Sequence, residues 1–468
     1  FQAQADLDLT GVTLTSITAY RNWKWIPNYD GDQIGANVVT NSVVDTKQQQ
    51  FSQEFRLASN GERTIDYTAG LYFFWQEADD YSIQEYGRDA STWLTTGNTP
   101  TAPVSTLPSS ALNGLKAVAH VVPATWSYAA YGQATWNVSP VFRITGGLRF
   151  TYERKTGLYD AVQAGDVAPI GSFDPAVQAT VTARRNALAP TASYTASRNT
   201  HNLSGTLVAA YDFSPNVHGY ASYSRGYKSP GINLVAPSRG VDIFVKPEKV
   251  DNYEIGLKSR FLGGLAELNI AAFWADVSDY QANFVNTAVT PAVSYITNVG
   301  DLRSRGVEVD ARLAPVEGLT LGLGATYNDA KYRRYTNAPA QYLTSYLVTQ
   351  DLSGRQASGA PKWSVTSNAE YVHKSGNLEI YGGGDVSYRS SFHAAVNLDP
   401  FSKVPGYTLA GLHAGVRQAD NRWDIGVWVR NLFDKDYYNT KGVNAQYGVV
   451  LAALGEPRMY GITLKGRL

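Results

Sequence analysis

The sequence predicts an all-β protein, a transmembrane antiparallel up-and-down β-barrel, from two observations: apolar residues alternate with charged ones, and short turns alternate with long connections. One segment shows the first pattern clearly, with Val307, Val309 and Leu313 interleaved with Glu308, Asp310 and Arg312. Successive side chains of a strand point to opposite faces, so this segment has one apolar face and one charged face. A membrane barrel wall has that pattern, with lipid outside and a polar lumen inside.

The spacing of turn residues gives the second observation. Short turns fall near 10–11, 60–61, 139–140, 214–216, 263–264, 315–317, 375–376 and 420–421. Long connections lie between them, at 26–44, 80–121, 160–197, 231–250, 284–292, 334–360, 392–403 and 433–455. Bacterial barrels have short periplasmic turns and long extracellular loops, so the alternation predicts a meander of roughly 17 strands.

Composition limits the class of protein and its partners. Lys and Arg together number 40, as do Asp and Glu, so the net charge is zero and nothing favours a nucleic-acid partner. The 31 Tyr and 10 Trp residues fit aromatic girdles at the membrane interfaces and loops that face a ligand. Mean hydropathy is −0.25 and no run of about 18 apolar residues occurs, which argues against helical spans. The absence of cysteine excludes disulfides and thiolate metal sites.

The direction of the strands predicts where the chain enters the barrel. If the last strand, within 457–468, ends in the periplasm, the first strand near 4–9 runs downward from outside. Whole barrels of this kind normally start in the periplasm, and large plugged transporters have ~22 strands. We therefore expect residues 1–468 to be one partial barrel domain, with about five strands and anything before them lying upstream of Phe1.

Several spaced motifs go beyond a generic barrel wall. They are YASYSRGYKSPGIN at 220–233, PEKVDNYEIGLKSRF at 247–261, GDLRSRGVEVDARLAP at 300–315, RNLFDKDYY at 430–438 and PRMYGITLKGRL at 457–468. Together they resemble the barrel of a TonB-dependent outer-membrane receptor of the siderophore-receptor type. LTSITAYR at 14–21 and QQFSQEFRLA at 49–58 are also similar to that family. The last residue differs, since the family commonly ends in an aromatic residue and this chain ends in Leu468.

The resemblance implies a function and partners. Such receptors take up a scarce nutrient across the Gram-negative outer membrane, and a ferric siderophore is the ligand we favour, with cobalamin, oligosaccharides and aromatic compounds left open. The implied partners are outer-membrane lipid and TonB with its inner-membrane energising complex, acting through a plug, and a monomer is implied. The sequence as given starts at Phe1 without such a plug, so we do not expect residues 1–468 alone to perform energised transport. The alternatives are a passive diffusion porin and, more remotely, a barrel enzyme.

Charged residues that share the lumen side of the predicted strands form the first set of candidate residues. They are Glu254, Lys258, Glu308, Asp310, Arg312 and Arg430. Because unpaired charges in a dry core are costly, this face is either filled with water or matched by a polar plug. The charges can pair across neighbouring strands or grip the plug. The nearby segment 431–434 has the chemistry of a turn at the outer rim.

Aromatic and cationic residues of the long connections form the second set, the candidate ligand contacts. They are Tyr86, Arg88, Trp93, Tyr227, Tyr335, Tyr342, Phe392, His393 and Tyr447. Ferric siderophores are often anionic and aromatic, which suits cations and stacking side chains. The competing interpretation is packing within the loops or in an aromatic girdle.

No catalytic or metal-binding pattern stands out. The six histidines are scattered without HExxH spacing, and GxSxG and P-loop motifs are absent from the sequence. We interpret His218 and His413 as ordinary wall residues. A siderophore chelates its own iron, so no cofactor and no protein metal site are expected.

Overall fold

The wall of the molecule is one antiparallel sheet. The computed structural model describes residues 1–61, 63–94, 107–286, 293–344, 349–444 and 447–467. Its main sheet has 19 strands, and two of them are the short segments Asn28–Tyr29 and Lys331–Arg334. The other 17 form the wall, as the sequence predicts. They are β1 (Gln2–Leu9), β2 (Val12–Trp25), β3 (Val39–Ser59), β4 (Ile65–Tyr86), β5 (Lys116–Ser139), β6 (Phe142–Ala164), β7 (Ala192–Ser214), β8 (Val217–Lys228), β9 (Glu248–Phe261), β10 (Ala266–Ser278), β11 (Asp301–Leu313), β12 (Leu319–Asn328), β13 (Trp363–Ser375), β14 (Leu378–Arg389), β15 (Tyr407–Gln418), β16 (Trp423–Arg430) and β17 (Met459–Gly466).

Each wall strand pairs with the next one along the chain, so the predicted up-and-down meander is confirmed. The short turns lie at one end of the sheet and the long loops at the other. The turn that joins β1 to β2 leaves only two residues between the paired Leu9 and Val12. Gly11 has φ +81° in that turn, a conformation that glycine adopts without steric cost.

The register gives the sheet two chemically different faces. Leu257 pairs with Ile270, which in turn pairs with Val309, and these side chains share an apolar face. One residue further along, Lys258 pairs with Asn269, which pairs with Asp310. Apolar side chains on the first face are open to the surroundings, as residues in contact with lipid are. We call these the apolar face and the polar face, and assign the polar face to the lumen.

The strands differ in length, which corrects the predicted loop boundaries. β5 has 24 residues and β3 has 21, whereas β16 has 8. A tilted strand needs only ~9–11 residues to cross the bilayer, so β3 to β7 continue beyond the membrane on the loop side. The connections predicted at 80–121 and 160–197 therefore begin and end within strands. Both faces of these extensions meet water, so polar residues such as Asp79 and Asp80 occur in them. Because of these polar residues, the sequence pattern predicts loops in the extensions.

The two ends of the sheet are β1 and β17. No ladder pairs them with each other among the residues that the structure describes. The loops contain short helices, of which α1 (Ala90–Trp93) and α2 (Pro175–Leu188) are α-helical. None of the described helices is long and apolar enough to cross a membrane.

The two faces predict unequal effects on stability when an arginine is placed at neighbouring positions of one strand. Leu207 lies on the apolar face of β7, and its neighbour Val208 pairs with Thr145 on the polar face. Leu207→Arg puts a charge in hydrocarbon and should destabilise the barrel by about 2–4 kcal/mol, whereas Val208→Arg should cost much less. Heat-modifiable mobility and urea midpoints of barrels extracted from outer membranes measure the difference. Equal losses for both variants would contradict the assignment of the faces.

Candidate ligand-binding loops and lumen

Loops that are far apart in sequence pack into a shared hydrophobic core above the wall. We call it the first loop core, and its buried members include Val38, Tyr86, Leu112, Val181 and Tyr447. Tyr86 ends β4, and the others come from the loops that follow β2, β4, β6 and β16. The loop near the end of the chain therefore packs against the loop near its beginning. Tyr86 and Tyr447, both candidate ligand contacts, have side chains that are buried in this packing.

A second loop core joins the loops that follow β10, β12 and β14. Its buried members include Tyr332, Tyr335, Leu352 and Leu398. Tyr335 is only 1% exposed, and its hydroxyl has no hydrogen-bond partner in the described part of the chain. Burial also raises the pKa of this hydroxyl. For Tyr335, as for Tyr86 and Tyr447, the structure favours loop packing over direct contact with a ligand.

The segment 229–247 between β8 and β9 folds inward onto the polar face of β6 and β7. Ser229 Oγ donates a hydrogen bond to Glu153 Oε2 at 2.8 Å, and Tyr194 Oη donates one to the Val235 carbonyl at 2.9 Å. Arg198 lies over the Phe244 ring at 5.6 Å. Tyr227, at the end of β8, lies among Thr151, Glu153 and Arg149, which places its side chain in the lumen.

Asn233 fastens this inward segment to the hairpin Gln281–Asn286 and Val293–Asn298. Its Nδ2 donates to the Ile296 carbonyl at 2.8 Å, and its Oδ1 accepts from the Ile296 backbone N–H at 3.0 Å. Lys246 and Asn298 add a second pair of hydrogen bonds between the same two segments. The inward segment and this hairpin are therefore joined as one hydrogen-bonded unit.

A group of cations at the top of β14 has the chemistry of an anion-binding site. Arg389 lies over the Phe392 ring at 5.4 Å. Phe392 pairs with Val404 in a short hairpin, which places His393 opposite Lys403. Arg355 joins the group because the Gly359 N–H donates to the His393 carbonyl at 2.8 Å and holds the two loops together. We call Arg355, Arg389, His393 and Lys403 the cationic loop site.

The charge of this site is not neutralised by neighbouring carboxylates. No carboxylate lies within salt-bridge distance of Arg355, Arg389 or Lys403 among the described residues. All three side chains are exposed. Burial, followed by the charges of Lys403 and Arg355, lowers the pKa of His393, and Asp399 opposes the shift only weakly. The exposed cations of this site therefore have the chemistry that attracts an anion.

The other candidate ligand residues lie at different points around the loops. Arg88 is exposed and lies 3.8 Å from Asp89. Trp93 ends α1 and is 40% exposed. The backbone N–H of Tyr342 donates to Asp399 Oδ2 at 2.7 Å, so Tyr342 borders the same loop as His393. The structure places Phe392 and His393 side by side in one hairpin, with Tyr342 bound through its backbone to the same loop, and leaves Arg88 and Trp93 near the first loop core.

The charges predicted on the lumen side share the polar face by register. Glu254 accepts a hydrogen bond from Tyr220 Oη at 2.5 Å. Lys258, Glu308 and Asp310 line a groove of about 420 Å³ with Tyr220 and Asn269. In the described part of the chain, none of the six predicted lumen charges forms a salt bridge, although Arg143–Asp212 and Arg417–Glu379 do so on the same face.

This finding bears on the two alternatives for the lumen charges. Salt bridges across neighbouring strands, one of these alternatives, are not formed by Glu254, Lys258, Glu308, Asp310, Arg312 or Arg430 among the described residues. Arg430 instead lies over the Trp428 ring at 5.0 Å, and Lys258 over the Tyr220 ring at 5.9 Å. The polar face thus presents open charges to whatever fills the lumen.

The segment 431–434 is a turn, as its residue types predict. Asn431 has φ +48° and Asp434 has φ +52°, a conformation that Asn and Asp tolerate better than most residues. Asn431 Nδ2 donates to the carbonyls of Lys435 and Glu456, and Asp434 Oδ1 accepts from the Arg458 N–H. The motif therefore fastens the last loop to the start of β17.

The histidines that the sequence placed in the wall have wall partners. His413 Nε2 lies 2.6 Å from Glu370 Oε2, and His218 Nδ1 lies 2.7 Å from Asp212 Oδ1. Within the described ranges, no group of three or more His, Cys, Asp or Glu side chains could hold a metal ion. Sequence reasoning missed Arg355, Arg389 and Lys403. For Arg389 the sequence did contain a signal, because this arginine lies at the end of a predicted strand, three residues before the aromatic Phe392.

Comparison with known proteins identifies the family. The profile of the TonB dependent receptor-like β-barrel family matches residues 1–432. The chain belongs to this family. The barrels of this family lie in the outer membrane of Gram-negative bacteria, and this chain is one of them. The family consists of transporters and receptors.

Individual relatives agree with that assignment. The pesticin receptor of Yersinia pestis is 24% identical over 425 residues, which cover 88% of this chain and 51% of the relative. The vitamin B12 transporter BtuB of Photobacterium profundum is 28% identical over 242 residues, 51% of this chain and 35% of the relative. The chain thus spans about half the length, or less, of these curated relatives.

A solved structure shows the same fold. The ferric yersiniabactin uptake receptor FyuA from Yersinia pestis matches with a TM-score of 0.73 and 19% sequence identity. The match covers 98% of this chain and 60% of that receptor. The predicted all-β antiparallel barrel is therefore confirmed by an independent comparison.

The cationic loop site predicts a pH dependence of loop packing. Because the pKa of His393 is lowered from its ordinary value of 6.5, the folded loop disfavours the proton more than an unfolded loop does. Loop stability should be fully present above about pH 6.5 and should fall as the pH drops from there toward the lowered pKa. Limited proteolysis of the loops between pH 8 and 5 measures this. His393→Gln should remove the increase in proteolysis that His393 causes at low pH. If the variant and the unmodified chain show the same pH profile, the prediction is contradicted.

Proposed function

We propose that this chain forms the wall and ligand-capturing loops of a TonB-dependent receptor that imports a scarce nutrient, with a ferric siderophore as the favoured ligand. The observation that carries the ligand class is the cationic loop site. Its three exposed cations lack carboxylate partners among the described residues, and the Phe392 ring borders it. Anionic metal chelates with aromatic groups suit that chemistry through charge and stacking. Family membership and the name of the yersiniabactin receptor agree with this choice.

The proposed route begins with capture at the loops and continues through the lumen. A plug seated on the polar face would meet the open charges of Glu254, Lys258, Glu308, Asp310, Arg312 and Arg430. TonB and its inner-membrane energising complex would act on that plug. We propose residues 1–468 as one barrel domain that works as a monomer in lipid, and we assign it no catalytic role and no nucleic-acid partner.

The competing function is a passive diffusion porin. The inward segment 229–247 favours it, because an inward loop also narrows the pore of a porin. The two functions differ in their need for energy. Dissipating the inner-membrane proton gradient should abolish accumulation of the radiolabelled ferric chelate if transport depends on TonB. Passive entry would continue at the same rate without the gradient, and such a result would overturn the receptor proposal.

Loss of the loop cations should weaken ligand capture. Arg355→Gln combined with Arg389→Gln removes two charge-assisted contacts, so affinity for an anionic ferric chelate should fall by about tenfold or more. Equilibrium binding to outer-membrane vesicles measures this effect. The matched control is Lys374→Gln with Arg422→Gln, which removes the same charge near the periplasmic turns.

The outcome of that comparison separates the binding site from overall charge. The control should bind the chelate as the unmodified chain does. Equal losses in both variants would show that net charge, and not the cationic loop site, governs binding. No loss in either variant would place the ligand elsewhere, with Arg88 and Trp93 as the next residues to test.

A further inference from the structure

A second cationic group lies on the apolar face, at the loop end of β10 to β12. Trp274 pairs with Tyr253 on one side and with Arg305 on the other, which puts all three on the apolar face. Asp276 pairs with Arg303 on the same face. These residues therefore point away from the lumen and toward the surrounding membrane.

The cations of this group surround one tryptophan. The guanidinium carbon of Arg303 lies 4.4 Å from the Trp274 ring centroid, and that of Arg305 lies 5.3 Å from it. The indole Nε1 of Trp274 donates to Asp276 Oδ2 at 3.0 Å. The indole therefore holds both guanidinium groups in fixed positions beside one carboxylate.

Two carboxylates are each shared by two cations. Asp276 lies 2.7 Å from Arg303 and 3.6 Å from Arg333. Asp329 lies 3.3 Å from Arg305 and 3.0 Å from Lys331. We call Arg303, Arg305, Lys331 and Arg333 with Asp276 and Asp329 the outer cationic cluster. Four cations share two carboxylates, so the cluster carries a net charge of +2.

Two neighbouring carboxylates, Asp251 and Asp301, have cations of their own and so do not cancel this excess. Asp251 pairs in register with Asp276, but Arg225 lies 3.8 Å from it. Asp301 likewise has its own cation, Arg334, at 3.2 Å. The side chains of Arg305 and Arg333 are 50% and 52% exposed, so the excess charge is accessible from outside the wall.

The cluster lies directly above aromatic residues of the apolar face. Val307 pairs with Tyr327, and the rings of Tyr327 and Trp363 lie 4.9 Å apart, both exposed. Aromatic side chains of this kind mark the interface between hydrocarbon and headgroups. Arg305 lies on the same face as Val307 and two residues nearer to the loops. The cluster therefore lies just beyond the aromatic residues, at the level of the lipid headgroups.

We propose that the outer cationic cluster binds the phosphate groups of an anionic glycolipid of the outer leaflet. Guanidinium groups bind phosphate in a bidentate manner, and lipid-facing cations attract anionic headgroups. The position on the lipid side, at headgroup level, favours a membrane lipid over a soluble anion. Such binding would fix the rotation and depth of this side of the barrel in the membrane.

The test removes the excess charge but leaves each carboxylate one cation. Arg305→Gln with Arg333→Gln keeps the Lys331–Asp329 and Arg303–Asp276 pairs. Titration of the detergent-purified folded chain with bis-phosphorylated lipid A, followed by native mass spectrometry, should show affinity reduced about tenfold or more. Arg333→Gln alone should give a smaller loss, and it serves as the second variant if the double variant folds poorly.

Controls distinguish the lipid from charge in general. Arg260→Gln with Arg422→Gln removes the same charge at the periplasmic end and should bind lipid A normally. Dephosphorylated lipid A should bind weakly to the unmodified chain, and millimolar inorganic phosphate should not displace lipid A. Equal binding of lipid A by the double variant and the unmodified chain overturns the proposal. Displacement by inorganic phosphate also overturns it, because the cluster would then be a site for soluble anions.

Discussion

The structure depends on one constraint: within hydrocarbon, every backbone N–H and C=O must find its partner in the neighbouring strand. That requirement fixes the ladders, and the ladders fix the two-residue period that divides the wall into an apolar and a polar face. A slip of one residue would exchange Ile255, which is 64% exposed on the apolar face, with the charged Glu254. The pairing of β9 with β8 and β10 excludes that slip on both sides.

The loops obey a different rule, since water satisfies their backbone groups and packing alone gives them shape. The first loop core joins the loops after β2 and after β16, through Val38 and Tyr447. The second joins the loops after β12 and β14, where Tyr342 and Asp399 meet. The candidate ligand residues lie on loops that already support each other, so the proposed ligand would meet preformed surfaces instead of separate flexible segments.

The wall could be predicted from the sequence and the loops could not, for a physical reason. Alternation and turn residues are local, so the 17 wall strands and the turn at Asn431 follow from neighbouring residues. The burial of Tyr86 depends on α2, which lies about a hundred positions further along the chain. Arg355 approaches His393 only because the loops after β12 and β14 meet. Contacts between loops that are distant in sequence leave no local pattern from which they could be predicted.

The unequal wall has a consequence for what reaches the protein from outside. β5 has 24 residues and β6 has 23, while β15 and β14 each have 12. At ~3.3 Å per residue the difference amounts to roughly 35–40 Å along the strand. The strands on the β5–β6 side of the extracellular opening therefore extend further from the membrane than those on the β14–β15 side, where the cationic loop site lies. The long strands would keep bulky surface polymers away on their side, while small solutes could enter over the short strands.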